Sequence, residues 1–394
     1  MLPIEAKAIL TARRAAEIEP FEVMDVLSRA HALEAAGRRV VHMEIGEPDF
    51  TAPPAVVEAG ARALREGRTA YTATLGVPAL REAIAAHYAE HLGARVDSST
   101  IAITSGASGG LLVVAALYVN PGDEVLVPDP GYPGYRHFVR TFEGVARALP
   151  VSAQSAYQPT LEMVRAAWSP RTKGLLLGSP SNPTGTLIER AELERIAAFI
   201  AERGGVLIVD EIYQGLVYGA RPSTAAGLPG EVVIVNSFSK YFCMTGWRLG
   251  WVVLPLSAVR SFEKLAQHLF ISAPSAAQHA ALAAFTPESI SILEERRAEF
   301  ARRRDFLVPE IARANLKVRA EPHGAFYVYA DCGGDAKQYA LRLLEQEGVA
   351  ATPGIDFGSN GTDRCLRFAY TRSMEDLREA AARIKRFAAS WPSA

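Results

Sequence analysis

Short apolar runs that alternate with helical segments from about residue 100 constrain the fold of this chain more than any other feature. Helical periodicity lies between several of these runs, at residues 111–118, 189–203 and 258–269. A parallel sheet buried on both faces produces this pattern, because helices cover each face. We therefore predict an α/β fold with a mostly parallel sheet. Its predicted strands are residues 101–104, 124–127, 174–177, 206–209, 232–235 and 251–254.

The two ends of the chain predict a second, smaller unit. Apolar residues at helical spacing predict a helix in the N-terminal region, to about residue 39. After residue 286 the predicted order is a long charged helix, a strand, a helix, a strand and a final helix, at residues 287–313, 325–330, 336–347, 365–369 and from 374. We expect a large domain at 50–285 and a smaller α+β domain built from 1–49 and 286–394.

Composition narrows the class of protein. Of the 394 residues, 49% are hydrophobic and 22% are charged, which is typical of a globular chain with a large core. The net charge of −1 provides no basic field for nucleic acid. Neither a signal-like start nor a run of about 20 uncharged apolar residues is present, so we expect no membrane partner. Three scattered cysteines fit neither a disulfide framework nor a zinc site, and we predict a cytoplasmic protein.

Polar residues that follow the predicted strands are candidates for a site, since ligands bind beyond the carboxyl ends of parallel strands. Gly106, Ala107 and Ser108 open a helix, where backbone N–H groups favour an anion such as phosphate. A tight turn with an N-cap would explain the same residues. Asp210 ends a buried strand and needs a partner, such as a metal or a protonated ring nitrogen. A structural aspartate is the alternative.

Two cations and an amide follow other strands. Lys240 can form a Schiff base if burial or a nearby cation lowers its pKa. Arg248 offers two parallel donors to phosphate or carboxylate. The alternative for both is a solvated surface cation, which the apolar and glycine neighbours disfavour. Asn182 lies in a turn fixed by two prolines and a glycine, and a rigid turn alone would explain it.

Taken together and in this order, these segments resemble the class I and II aminotransferases. These enzymes have fold type I and use pyridoxal 5′-phosphate (PLP). The resemblance covers nearly the whole chain and is greatest to the bacterial subgroup of aspartate and broad-specificity aminotransferases. The segments that carry it are GEPDF at 46–50, YTATLG at 71–76, DPGYP at 129–133, SPSNPTG at 179–185, DEIY at 210–213, SFSK at 237–240 and CLRF at 365–368.

The resemblance implies a large domain with a seven-stranded sheet and a set of roles around PLP. Lys240 would form the Schiff base with the cofactor and then move a proton between substrate and cofactor. Asp210 would pair with the pyridinium nitrogen and keep it protonated, so that the ring accepts electrons. Tyr213 and Asn182 would bind the ring hydroxyl, and Tyr132 would stack on the ring.

The phosphate and the substrate would have their own residues by the same resemblance. Arg367 would bind the substrate α-carboxylate, beside Asn182 and the Gly46 backbone. Tyr71 would reach the phosphate in the partner subunit of a homodimer with shared sites. The residues that would hold the phosphate within the subunit are Gly106, Ala107, Ser108, Ser237 and Arg248.

We therefore expect transfer of an amino group from an L-amino acid to a 2-oxo acid, such as 2-oxoglutarate or pyruvate, by a ping-pong mechanism through pyridoxamine phosphate. A PLP-dependent carbon–sulfur lyase or synthase of the same fold is the alternative. A regulator domain is disfavoured, because a DNA-binding domain finds no room in the chain. Residues 267–278 lack an arginine for a second carboxylate, which argues against strict aspartate specificity.

His87 and His91 match the H-x-x-E-H pattern of some zinc proteases. Both flank the apolar stripe of a predicted helix, and no third ligand is indicated. We therefore expect no metal in the site.

Overall fold

The computed structural model describes residues 11–220 and 222–391. The ends of the predicted smaller domain, 1–10 and 392–394, lie outside these residues. The strands are β1 Val41–His42, β2 Ile101–Thr104, β3 Glu124–Asp129, β4 Val145–Pro150, β5 Thr172–Gly178, β6 Val206–Asp210, β7 Glu231–Ser237, β8 Gly250–Val253, β9 Lys317–Val318, β10 Tyr327–Asp331, β11 Val349–Ala350, β12 Thr352–Pro353 and β13 Cys365–Ala369.

Helices connect and cover these strands. They are α1 Arg13–Glu17, α2 Glu22–Ala35, α3 Pro54–Arg65, α4 Pro78–Leu92, α5 Gly106–Tyr118, α6 Gly134–Thr141, α7 Leu161–Ala167, α8 Arg190–Ala201, α9 Leu256–Phe270, α10 Ser275–Ala281, α11 Pro287–Arg313, α12 Ala336–Glu347 and α13 Met374–Ser390. None of the helices in the described ranges is long and apolar enough to cross a lipid bilayer.

A seven-stranded mixed sheet forms the centre of the molecule, in the order β2-β8-β7-β6-β5-β3-β4. β8 runs antiparallel to both of its neighbours, and the remaining pairs are parallel. The predicted α/β class with a mostly parallel sheet is confirmed. The sequence analysis missed β4, because this edge strand is mostly exposed and therefore has no continuous apolar run.

Both faces of the central sheet are buried, which explains the continuous apolar runs. Successive side chains of a strand point to opposite faces. Leu175 and Leu177 pack in one core with α8, whereas Leu176 between them packs in a second core with α5 and α9. Because each strand must be apolar on both sides, its sequence is a continuous apolar run and does not alternate between apolar and polar residues.

The N-terminal and C-terminal regions meet in two further sheets. β1 pairs in parallel with β11, and β12, β13, β10 and β9 form an antiparallel sheet. Helices α11, α12 and α13 pack beside them. This arrangement agrees with a smaller unit built from both ends of the chain, while its boundaries at residues 50 and 285 stay a prediction.

The single N-terminal helix predicted to about residue 39 is wrong in one respect. The structure has two helices, α1 and α2, with Pro20 between them. A proline removes a backbone donor and disfavours helical backbone in the preceding residue, which ends α1 before it. The backbone N–H of Glu22, the first residue of α2, donates to Asp356 Oδ1 at 3.2 Å. A carboxylate remote in sequence thus caps this helix.

A buried ion pair fixes the loop between β1 and α3 to the long helix α11. Arg303 is buried, and its Nη1 lies 2.8 Å from Asp49 Oδ1. Its Nε lies 3.0 Å from Glu299 Oε1, and its guanidinium carbon lies 5.1 Å from the ring centroid of Phe50. Loss of one member of such a pair leaves the other charge without its partner.

We expect Arg303→Met to lower the free energy of unfolding by about 2 kcal/mol, because Asp49 would lose its buried partner. Urea unfolding followed by tryptophan fluorescence measures this change. The matched control is Arg302→Met on the same helix, since the Arg302 side chain is 67% exposed. Exposed pairs contribute roughly 0–1 kcal/mol, so this control should change little. Equal effects of the two substitutions would contradict the role of the buried pair.

Candidate active site

A cavity of about 280 Å³ lies at the carboxyl ends of β5, β6 and β7. Most of the predicted site residues line it, although they come from distant parts of the sequence. Gly106 and Tyr71 are the exceptions among them. The predicted residues in the lining are Gly46, Ala107, Ser108, Tyr132, Asn182, Asp210, Tyr213, Ser237, Lys240, Arg248 and Arg367.

Lys240 lines the cavity. Its Nζ donates a hydrogen bond to the carbonyl oxygen of Gly46 at 2.6 Å. Burial lowers the pKa of Lys240 from 10.5 to about 8, and the positive charges of Arg367 and Arg248 act in the same direction, against Glu47. The neutral, nucleophilic fraction of this amine near neutral pH is therefore much larger than that of an ordinary lysine.

Asp210 lies at the end of β6 and is only 4% exposed. The hydroxyl of Tyr135 donates to its Oδ2 at 2.9 Å, and the backbone N–H of Ile212 donates to its Oδ1 at 3.1 Å. Burial raises the pKa of Asp210 to about 6, while these hydrogen bonds and Lys240 oppose the rise. A cation beside Asp210 would favour its ionised form further.

Tyr135 is a site residue that the sequence analysis missed. It lies on α6, in the turn after Tyr132, and the two rings meet edge to face at 5.2 Å. Its hydroxyl fits because Gly178 has no side chain. A Cβ at that position would stand 2.7 Å from the hydroxyl oxygen. The only signal in the sequence was a second tyrosine three residues after Tyr132, which does not show that it reaches Asp210.

An anion cradle is formed by the start of α5 together with Arg248. Gly106 has φ of +75°, and a Cβ there would lie 2.6 Å from Arg248 Nη2. This glycine therefore allows the guanidinium to approach the helix N-terminus. The Ser237 hydroxyl lies 2.9 Å from the Ser239 hydroxyl, and both serines line the cavity beside Ala107. Helix N–H groups, hydroxyls and a guanidinium together favour a phosphate-like ligand.

Arg367 provides a second cation, on β13 and only 5% exposed. Its Nη1 donates to Asn182 Oδ1 at 3.0 Å, and its Nη2 donates to the Glu44 carbonyl and to Thr352 Oγ1. The Nε of Arg367 has no hydrogen-bond partner. The guanidinium of Arg367 forms no ion pair with a carboxylate in residues 11–220 and 222–391. A buried guanidinium with a free donor favours an anionic ligand such as a carboxylate.

Aromatic side chains complete the inner wall. The Tyr213 and Tyr327 hydroxyls lie 2.8 Å apart, and the Arg367 guanidinium carbon lies 4.4 Å from the ring centroid of Tyr327. Sequence analysis did not find Tyr327, which comes from β10. It also missed Ser239 and the outer lining residues Phe21, Val23, Met24, Asp356 and Phe357. The apolar residues among them give no signal that separates a site from a core.

Two sequence motifs lie away from the cavity. Tyr71 is 78% exposed in the loop after α3 and does not line the cavity of its own chain. His87 packs against the rings of Phe242 and Phe285, and burial lowers its pKa to about 4. The described part of the chain contains no group of three or more His, Cys, Asp or Glu side chains arranged to hold a metal ion.

A buried lysine, a buried carboxylate and an anion cradle thus meet at the strand ends of a sheet that helices cover on both faces. Residues 38–384 match the family described as aminotransferase class I and II. The chain belongs to this family and is an aminotransferase. The family, the fold class and the amino-group transfer expected from the sequence are confirmed.

Relatives cover nearly the whole chain. A (5-formylfuran-3-yl)methyl phosphate transaminase from Methanocaldococcus jannaschii is 39% identical, over 96% of this chain and 99% of its own. A valine–pyruvate aminotransferase from Mycobacterium tuberculosis is 37% identical, over 94% and 96%. The solved structure of aspartate aminotransferase from Thermus thermophilus with maleate has a TM-score of 0.91 and 34% identity, over 96% and 99%. The named substrates of these relatives differ widely.

We expect the Lys240 amine of ligand-free protein to react with trace acetic anhydride along a pH profile with a midpoint near 8, because burial and two cations disfavour its charged form. Mass spectrometry of the peptide that contains Lys240 measures the reaction between pH 6 and 11. Nα-acetyl-lysine amide in the same tube is the reference. A midpoint for Lys240 near 10.5, the ordinary lysine value, would contradict the lowered pKa.

Proposed function

We propose that this aminotransferase binds PLP in the cavity and transfers the amino group of an L-amino acid to a 2-oxo acid, in a homodimer in the cytoplasm. The observation that carries the proposal is one cavity that contains the Lys240 amine, an anion cradle and the buried Arg367, whose Nε has no hydrogen-bond partner. The three buried cysteines, all unpaired, suit a reducing compartment.

The residues in the cavity fit the chemical groups of PLP. The start of α5 with Ser237 and Arg248 suits the phosphate, and the cradle exists because Gly106 has no Cβ. Asp210 is a buried carboxylate with a raised pKa, so a protonated ring nitrogen would suit it as a partner. Lys240 provides the amine for the aldehyde, and its lowered pKa enlarges the neutral fraction of that amine. When bound, PLP supplies that aldehyde and an electron-accepting ring, which stabilises the negative charge left at the substrate Cα.

The side chains of this protein would then bind the substrate, transfer its proton and form a hydrogen bond to the ring oxygen. Arg367 binds the substrate α-carboxylate, and Asn182, which accepts from its Nη1, orients the guanidinium. Lys240, once its amine has left its hydrogen bond with the Gly46 carbonyl, would remove the proton from the substrate Cα as a base and then deliver it as an acid to the former aldehyde carbon of the cofactor. Tyr213, with Tyr327 as its partner, provides a hydroxyl for the ring oxygen.

An aromatic side chain of the cavity would hold the ring of PLP by stacking. Tyr132 lines the cavity beside Asp210 and offers an aromatic face for stacking.

Because one cavity contains one Lys240 and one Arg367, the amino acid and the 2-oxo acid would occupy it in turn. A ping-pong order follows from this arrangement.

Lys240→Ala should lower transamination on the order of 10³-fold or more, because both the covalent anchor and the proton-transfer group are removed. Steady-state assay with L-amino acid and 2-oxo acid pairs measures the loss. Borohydride reduction of the wild-type protein with PLP should attach the cofactor to the Lys240 peptide. The control is Lys264→Ala, an exposed lysine of α9.

Two results would contradict this assignment. One is cofactor attached to another lysine, together with normal turnover of Lys240→Ala. The other is release of ammonia and pyruvate from cystathionine without a 2-oxo acid acceptor, at rates above transamination. That second result would support the alternative of a carbon–sulfur lyase of the same fold.

Tyr71 supports the proposal of a shared site, because it is exposed and outside the cavity of its own chain. We expect refolded mixtures of Lys240→Ala and Tyr71→Ala to be more active than the mean of the two parents. In a hybrid dimer with shared sites, one site carries both defects and the other carries neither. The control is each parent refolded alone at the same total protein concentration. Activity equal to the mean, with hybrids shown by mass spectrometry, would place Tyr71 outside the neighbouring site.

A further inference from the structure

One part of the cavity has no role in the proposed binding of PLP or of the α-carboxylate. It is formed by Phe21, Val23 and Met24 at the start of α2 and by Asp356 and Phe357 of a 3-10 turn, Gly354–Phe357. We name these five residues the distal wall.

The distal wall adjoins the groups that would hold the substrate. The Phe357 ring centroid lies 5.0 Å from the guanidinium carbon of Arg367. The Phe21 ring stacks 6.4 Å from Tyr132. A substrate whose α-carboxylate binds Arg367 and whose Cα lies near Lys240 would therefore direct its side chain toward this wall.

Cations elsewhere in the cavity are already committed. Lys240, Arg248 and Arg367 are the positively charged side chains that line it in the described ranges, and the proposed function uses all three. Arg136 lies behind the wall, where its Nη1 donates to the Asp356 carbonyl at 3.1 Å and its Nη2 lies 3.6 Å from Glu19. It does not line the cavity.

The charged side chain of the distal wall is an acid. Asp356 is buried, lines the cavity and accepts a hydrogen bond from the Glu22 N–H. Burial raises the pKa of Asp356, against the influence of that N–H, of Arg367 and of Arg136. A second carboxylate beside it would add repulsion to an environment that already disfavours negative charge.

We propose that the distal wall selects substrates with uncharged, predominantly apolar side chains and rejects acidic ones. The inference rests on the proposed function and specifies its substrate class. It applies to both substrates, because the amino acid and the 2-oxo acid occupy the same cavity in turn. The overall reaction stays balanced, since one amino acid becomes its 2-oxo acid while the other 2-oxo acid becomes its amino acid.

Pairs of amino acids matched in shape separate charge from size. The PLP-loaded protein is mixed with L-asparagine or L-aspartate, and with L-methionine or L-glutamate. The second-order rate constant of the single-turnover half-reaction is read from the cofactor absorbance. We expect each uncharged member to exceed its acidic partner by at least about tenfold, with methionine the best of the four.

Two substitutions test the wall itself. Asp356→Asn keeps an acceptor for the Glu22 N–H but removes the negative charge, and it should lower the methionine-to-glutamate ratio by about three- to tenfold. Met24→Arg adds a cation at a side chain that is already 53% exposed, so the fold should tolerate it. Met24→Arg should lower the methionine-to-glutamate ratio by more than Asp356→Asn does. The control is Asp25→Asn, on the same helix but outside the cavity, which should leave the ratio unchanged.

The outcomes separate this inference from the function beneath it. Conversion of aspartate and glutamate at rates equal to or above their uncharged partners would overturn the substrate class and leave transamination intact. Ratios that fail to move in both Asp356→Asn and Met24→Arg would overturn the role of the distal wall. No conversion of any amino acid by the PLP-loaded protein would overturn the proposed function and this inference with it.

Discussion

The buried guanidinium of Arg367 is the interaction on which the arrangement of the site depends. It joins three segments that are far apart in the sequence, through Asn182, the Glu44 carbonyl and Thr352. A buried cation is costly unless polar partners surround it, so each segment must stay close to it. The same side chain leaves Nε free, which means that the scaffold holds the guanidinium in place without satisfying it completely.

Around this cation, burial shifts the pKa values of two ionisable groups in opposite directions. The pKa of Lys240 falls to about 8, and that of Asp210 rises to about 6. Each shift disfavours the charged form of its group, because the cavity solvates charge poorly. A ligand that brings an aldehyde to the amine and a cation to the carboxylate would relieve both costs at once.

Much of the fold could be predicted from the sequence because its strands are buried on both faces and its long helices have clear periodicity. α11, α12 and β13 were predicted at the bounds that the structure shows. β4 was missed because an exposed edge strand has no apolar run, and Pro20 divides the N-terminal helix. In the site, Lys240 and Asp210 were predictable since polar residues at strand ends are conspicuous. Tyr135 and the distal wall were not, because their contacts arise only when remote elements pack.

The reversed direction of β8 has a consequence for the geometry of the site. β7 ends at Ser237 and β8 begins at Gly250, so the chain leaves and re-enters the sheet at the same edge. Lys240 and Arg248 therefore lie on one short connection, and their separation is determined by local chain connectivity. A parallel β8 would have carried the chain to the opposite edge before it entered the sheet. The amine and the guanidinium of the cradle thus belong to one connection of the large sheet, and their spacing does not depend on how the smaller sheets are oriented against it.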